Sequence, residues 1–83
     1  MTKNTDKPKI TMQVDFKGME CSEMNFELRL SIKKIEIGDI IEVLTDNEEA
    51  EMKMPKWCLK NNQELFFSYT KNGLYYFYIK RTQ

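Results

Sequence analysis

The choice between two folds for this chain depends on residues 17–35, which read KGMECSEMNFELRLSIKKI. Apolar and polar residues alternate strictly through the middle of this segment, and this is the period of a half-buried β-strand. In a strand, one face would carry Met24, Phe26, Leu28, Leu30 and Ile32. Periodicity alone therefore favours a strand.

A helix fits the same residues. Ser22 is placed to cap its first turn. The spacing of a helical core face is met by Met24, Leu28, Ile32 and Ile35. Glu, Leu, Arg, Met and Lys dominate the segment, and this composition favours a helix, with Phe26 and Leu30 pointing away from the core. The residues of this segment leave both structures open.

Strand patterns lie on both sides of it. Residues 10–16, ITMQVDF, alternate in polarity and enter a turn at Lys17-Gly18, which predicts a first strand. After a turn at Gly38-Asp39, residues 40–45, IIEVLT, have the length and β-branched content of a central strand. Cys21 follows the first strand directly.

A second helix is predicted after residue 46. Residues 47–51 carry the acids that favour a helix N-terminus, and Pro55 interrupts them and suits the first turn of a fresh helical segment. Asn61-Asn62 provides a left-handed stop. One face of the helix carries Met54, Trp57, Cys58 and Asn61.

The last part of the sequence predicts a β-hairpin. Residues 64–70 and 74–81 are aromatic-rich strands joined by Asn72-Gly73, a dipeptide typical of two-residue hairpin turns. Cross-strand pairing explains most of the aromatic side chains. Another interpretation is a partner or dimer surface formed by Tyr76, Tyr78 and Phe66. Stacking of these rings on RNA bases beside Lys71, Lys80 and Arg81 is disfavoured, because the chain as a whole is neutral.

Bulk composition limits the possible functions. With 83 residues the chain has room for one small domain, predicted over residues 10–83 after a flexible lead-in of residues 1–9. Basic and acidic residues balance at 13 each, so net charge does not attract nucleic acid or a membrane. No signal peptide or long apolar run is present, which predicts a cytosolic protein with reduced cysteines. The absence of histidine removes the usual general base.

Five short motifs occur in one order from Phe16 to Arg81, about four-fifths of the chain. They are KGMEC at 17–21, IGD at 37–39, TDN at 45–47, MPKWC at 54–58 and QEL at 63–65. They resemble, without a gap, the motifs Gly-Leu-x-Cys, Pro-Gly-Glu/Asp, Thr-Asp-Asp, Ile-Pro-x-Trp-Cys and His-Glu-Leu of the TusA/SirA-like sulfurtransferase family. The family's Cys-Pro-x-Pro box departs most, because it reads Cys-Ser-Glu-Met here. Lys53 stands where Asp is usual, Asn62 where Gly is usual and Gln63 where His is common.

The resemblance implies an α+β fold, a two-layer α/β sandwich of order β-α-β-α-β-β with two helices on one face of a mixed four-stranded sheet. It makes residues 22–35 helical. It also implies a sulfur carrier that holds a persulfide on Cys21 and needs no cofactor. A cysteine desulfurase or rhodanese-type donor and an acceptor protein are the implied partners. The pathway stays open among tRNA thiolation, oxidation of reduced sulfur and cofactor synthesis.

Cys21 would lie at a helix N-terminus, where the helix dipole favours a thiolate and a persulfide anion. Lys17 would add to this effect, whereas Glu20 and Glu23 would oppose it. The expected docking surface is Lys17, Met19, Glu23, Phe26 and Leu30. Two alternatives stay open: Cys21 as a small apolar residue closing the corner, and a binding or regulatory module that lost sulfur transfer with its prolines.

Cys58 is predicted to be buried and structural, because it shares a helix face with Met54 and Trp57.

Overall fold

Residues Cys21–Ile32 form helix α1, which confirms that this segment is helical, although the helix ends at Ile32 and not at Ile35 as the resemblance implied. The computed structural model describes residues 10–83, and the predicted lead-in, residues 1–9, lies outside them. Phe26 and Leu30 are 55% and 45% exposed. The stripe that α1 buries against the sheet consists of Met24, Leu28, Ile32 and, just beyond the helix, Ile35. A helix face with these residues fits the core, and tertiary packing therefore overrides the period-two pattern.

The start of α1 differs from the prediction. The helix begins at Cys21 with Glu20 as its cap, so the prediction that Ser22 caps it is wrong. Glu23 Oε1 accepts the backbone N–H of Glu20 at 3.1 Å, and Met24 N–H donates to the Glu20 carbonyl at 2.9 Å. A glutamate three residues after the cap is the usual reciprocal partner in a capping box, and here it places the cap two residues before Ser22.

Four strands form one mixed sheet with the order β1-β2-β4-β3. β1 and β2 pair in parallel, whereas β4 pairs antiparallel with β2 and with β3. The strands are β1 Ile10–Asp15, β2 Ile40–Thr45, β3 Glu64–Lys71 and β4 Leu74–Lys80. With the two helices, the order along the chain is β-α-β-α-β-β, as predicted.

Helix α2 runs without interruption through Ala50–Lys60, and Pro55 lies inside it. The expectation that Pro55 begins a fresh helical segment is therefore wrong. A proline forfeits one backbone hydrogen bond, here to the carbonyl of the exposed Glu51, which water can reach. Burial of Met54, Trp57 and Cys58 in the core holds the helix together across this gap.

Turn chemistry ends α2 and closes the hairpin as predicted. Asn62 has a φ of 58°, and Gln63 N–H donates to the Cys58 carbonyl at 2.8 Å, so the helix ends in a left-handed stop. Asn72 and Gly73 have φ of 53° and 77°, as a two-residue hairpin turn requires.

The aromatic surface on the outer sheet face differs from the predicted set of Tyr76, Tyr78 and Phe66 in one residue. A bulge between Leu65 and Phe67 shifts the register, so that Phe67 rather than Phe66 lies opposite Tyr78. Tyr69 stacks on Tyr76 with 4.5 Å between ring centroids. The extra residue of a bulge exchanges the two faces of a strand, and sequence alternation alone does not reveal it.

Candidate functional site

The candidate site lies where β1 and β2 end side by side. Because the two strands are parallel neighbours, the loops that follow them leave the same edge of the sheet. The first loop, residues 16–20, leads into Cys21, and the second, residues 46–49, leads into α2. Gly18 N–H donates to Asp46 Oδ1 at 3.1 Å and ties the two loops together.

Hydrogen bonds within the second loop fix its shape. Thr45, which is fully buried, accepts the backbone N–H of Asn47 on its Oγ1 at 3.1 Å. Asn47 Oδ1 in turn accepts the N–H of Glu49 at 2.9 Å. These two bonds form successive local turns of the kind that Thr and Asn side chains favour. They hold the Asn47 amide and the Glu49 carboxylate toward the first loop.

Both of these side chains meet the sulfur of Cys21. Asn47 Nδ2 donates to Cys21 Sγ at 3.6 Å, and the Sγ–H donates to Glu49 Oε1 at 3.5 Å. Cys21 is half-buried and packs partly against the core, so its side chain lies at the surface with one side in contact with the protein. The geometry gives this thiol one donor and one acceptor.

Lys53 completes the cluster from the end of the first turn of α2. Its Nζ lies 3.3 Å from Glu49 Oε1, in an i,i+4 pair. The hydrogen bond from Lys53, followed by the one from the Cys21 thiol, lowers the pKa of Glu49. The hydrogen bond to Glu49, followed by the charge of the Cys21 sulfur, raises the pKa of Lys53. Carboxylate and ammonium therefore both remain charged beside the sulfur at neutral pH.

The predicted site residues surround Cys21 but contact it less than expected. Lys17 Nζ lies 3.8 Å from Asp15 Oδ2, and no hydrogen bond joins it to Cys21 within the described residues. Met19 packs partly against the core. Glu23 is occupied with the backbone of Glu20. Glu20 and Glu23, the two acids that were expected to oppose the thiolate, therefore cap the start of α1.

Three residues of the cluster were missed at the sequence level: Asn47, Glu49 and Lys53. From the sequence, the acids after β2 predict only a helix start. The parallel pairing of β1 and β2, which the implied mixed sheet left open, is what places residues 46–49 beside Cys21. A signal in the sequence is Lys53, which stands where the family usually has Asp and lies four residues after Glu49, the spacing of a helical ion pair.

Cys58 lies in a different environment. It is 3% exposed among the core side chains of α2, which confirms the predicted burial. Desolvation raises the pKa of its thiol to about 12. Both cysteines are free thiols. In residues 10–83, no three side chains of the metal-binding types converge, and neither helix is long and apolar enough to cross a bilayer.

Comparison with known proteins gives consistent results. Residues 12–81 match the family model described as sulfurtransferase TusA. The chain is 38% identical over 69 residues to a putative sulfur carrier protein of Archaeoglobus fulgidus, covering 82% of this chain and 90% of that protein. It is 28% identical over 69 residues to the sulfur carrier protein TusA of Buchnera aphidicola, covering 83% and 87% of the two chains.

A solved structure shares the fold. The SirA-like protein of Desulfitobacterium hafniense superposes with a TM-score of 0.73 at 17% identity, covering 88% of this chain and all of that one. The family model spans nearly the whole described chain, from β1 to just beyond β4. The chain therefore belongs to the TusA family of sulfur carrier proteins, as its sequence motifs indicated.

Proposed function

We propose that this protein accepts sulfane sulfur from a donor protein as a persulfide on Cys21 and passes it to an acceptor protein in the cytosol. The observation that carries the proposal is the half-exposed Cys21 sulfur at the first residue of α1, bonded to Asn47 and Glu49 and neighboured by Lys53. A carrier needs one accessible thiol that a partner's persulfide can reach.

The transfer step balances without an outside oxidant. The Cys21 thiolate attacks the terminal sulfur of a donor persulfide, R–S–S⁻, and a new S–S bond forms on Cys21. The S–S bond of the donor breaks, and its inner sulfur leaves as a thiolate. The thiol proton is released to solvent before the attack. Passing the sulfur to an acceptor thiolate repeats the same exchange in the other direction.

The side chains around the sulfur have separable roles in this step. Glu49 orients the thiol by accepting a hydrogen bond from its S–H. Once the thiol ionises, that carboxylate repels it, and Lys53 offsets the repulsion. Asn47 retains its N–H as a donor to the thiolate or to the persulfide. The start of α1 adds the favourable end of a helix dipole.

Sulfur loading tests the proposal directly. The protein is incubated with a cysteine desulfurase and cysteine, and intact mass is measured beside the Buchnera carrier as a positive control. We expect a gain of one sulfur atom, mapped to Cys21 by peptide analysis and reversed by dithiothreitol. Cys21→Ser should abolish the gain, whereas Cys58→Ser should retain it.

Ser22→Pro separates this function from the alternative, a binding module that has lost transfer. Ser22 is the exposed second residue of α1, where proline is tolerated. Met24 is unsuitable for the same change, because its side chain is buried and its N–H bonds the Glu20 carbonyl. If wild type stays unloaded while the Buchnera carrier and Ser22→Pro both load, the binding module is the better function.

A further inference from the structure

A groove of about 440 Å³ runs between α1 and α2, and its start adjoins the Cys21 cluster. Ser22, next to Cys21, lies at that end on one wall, and Lys53 lies opposite. The groove continues past Phe26 and the indole of Trp57 to Arg29 and Lys60. Seven residues of helix separate its ends, a length of about 10 Å.

The groove is cationic. Its lining includes Arg29, Lys53, Lys56 and Lys60, and no acidic residue. Lys53 is paired with Glu49. Within residues 10–83, Arg29, Lys56 and Lys60 form no ion pair. Because the whole chain is neutral, the rest of it carries four more acids than bases. The positive charge is therefore concentrated in one narrow place beside the reactive sulfur.

We propose that this groove docks an acidic segment of the protein that exchanges sulfur with Cys21; this partner assignment rests on the proposed function. Charge complementarity selects the occupant, because three unpaired cations along about 10 Å match three or four residues of an extended acidic peptide. The chain's own residues 1–9 do not suit the groove, since they carry three lysines and one aspartate.

A protein segment fits better than a nucleic acid. Trp57 is only 7% exposed, so only Phe26 offers an open ring for base stacking in the groove. The end of the groove beside Cys21 lies where a partner's own cysteine must arrive. An acidic stretch a few residues from that cysteine would hold the two sulfurs together during exchange.

Binding of a labelled hexaglutamate peptide, followed by fluorescence anisotropy, tests the groove without the partner. We expect saturable binding that weakens with added salt and changes the fluorescence of Trp57, the only tryptophan. Lys56→Glu with Lys60→Glu should weaken binding at least about tenfold. Lys34→Glu with Lys71→Glu makes the same charge change at exposed positions outside the groove and should cost less than about twofold.

Several outcomes would overturn the inference. They are no hexaglutamate binding, equal weakening by both double variants, and tighter binding of an oligothymidylate of equal charge, which would indicate a nucleic-acid groove. Dimerisation of wild type that Lys56→Glu with Lys60→Glu abolishes would assign the groove to a second copy.

Loading of Cys21 by inorganic polysulfide, which has no acidic segment, should be unchanged in both double variants. If polysulfide and desulfurase both fail to load wild type while hexaglutamate binds, the carrier function fails and the groove remains an acidic-segment site.

Discussion

The two cysteines of this protein occupy opposite kinds of surroundings within one small fold. Cys21 begins α1 at the surface, with polar side chains on its sulfur. Cys58 lies in the middle of α2, where its neighbours are apolar core residues and its exposed fraction is 3%. The fold thus separates an accessible thiol from a thiol that packs in the core.

This difference shows that position in the fold, and not residue type, decides which thiol can react. Thiolates are the reactive form of cysteine, and burial without a partner charge disfavours them. Cys58 contributes packing, and its loss would be felt as lost stability. Cys21 contributes less to the core, and under the proposed function its loss should instead appear as lost sulfur loading. The predictions below test this separation.

The largest difference is expected in alkylation. Raising the pKa of Cys58 from its ordinary value of 9.0 to about 12 lowers its thiolate fraction at neutral pH about a thousandfold, and burial also blocks the reagent. Cys21 should therefore react with iodoacetamide at least about thirtyfold faster than Cys58 in the native protein, because the greater nucleophilicity of a more basic thiolate offsets part of the thousandfold. Timed quenching and peptide mass spectrometry measure both rates.

Unfolding in urea provides the control, because both cysteines should then react at similar rates. Comparable native rates would show that the core around Cys58 opens readily. A faster Cys58 would move the reactive site to α2 and contradict the assignment of Cys21.

The second difference concerns stability. Cys58→Ser places a hydroxyl in an apolar site and should lower the free energy of unfolding by about 2 kcal/mol, or the melting temperature by roughly 10 °C. Cys21→Ser should change it by less than about 0.5 kcal/mol, because the serine stays at the surface. Thermal melts followed by circular dichroism compare the two. Equal losses would mean that Cys21 is a structural residue of the corner.

Much of this comparison could be predicted from the sequence. Burial of Cys58 followed from the helical spacing of Met54 and Trp57, and the position of Cys21 beyond β1 followed from alternation and a turn. The helical state of α1 did not follow from its own residues, because both periods fit them. Only the resemblance decided it.

The contacts of the Cys21 sulfur could not be predicted in the same way. Asn47 and Glu49 lie 26 and 28 residues further along the chain, and only the parallel pairing of β1 and β2 brings them there. Local signals carry no information about such distances. The bulge that exchanges Phe66 for Phe67 on the outer sheet face is hidden for the same reason, since its position depends on the neighbouring strand.

The third difference appears in the pH dependence of stability. The folded protein holds the Cys58 proton up to about pH 12, whereas an unfolded thiol releases it near pH 9.0. The contribution of this group is therefore complete below pH 9 and is lost as the pH rises toward 12. The difference in unfolding free energy between wild type and Cys58→Ala should shrink above pH 9, by up to about 1.4 kcal/mol per pH unit. Urea titrations at several alkaline pH values measure it, and a constant difference would contradict the assigned burial.

The smallest effects are expected from the two charges beside Cys21, and they should have opposite signs. Glu49→Gln removes the carboxylate that repels the ionised sulfur, so polysulfide should load Cys21 roughly twofold to fivefold faster. Lys53→Gln leaves that carboxylate without its compensating cation and should slow loading by a similar factor. Both side chains are exposed, so high salt should bring both variants close to the wild-type rate. Stopped-flow loading at low and high salt provides the measurement. If both substitutions slow the reaction equally at every salt concentration, the pair holds the shape of the loop and does not tune the charge at the sulfur.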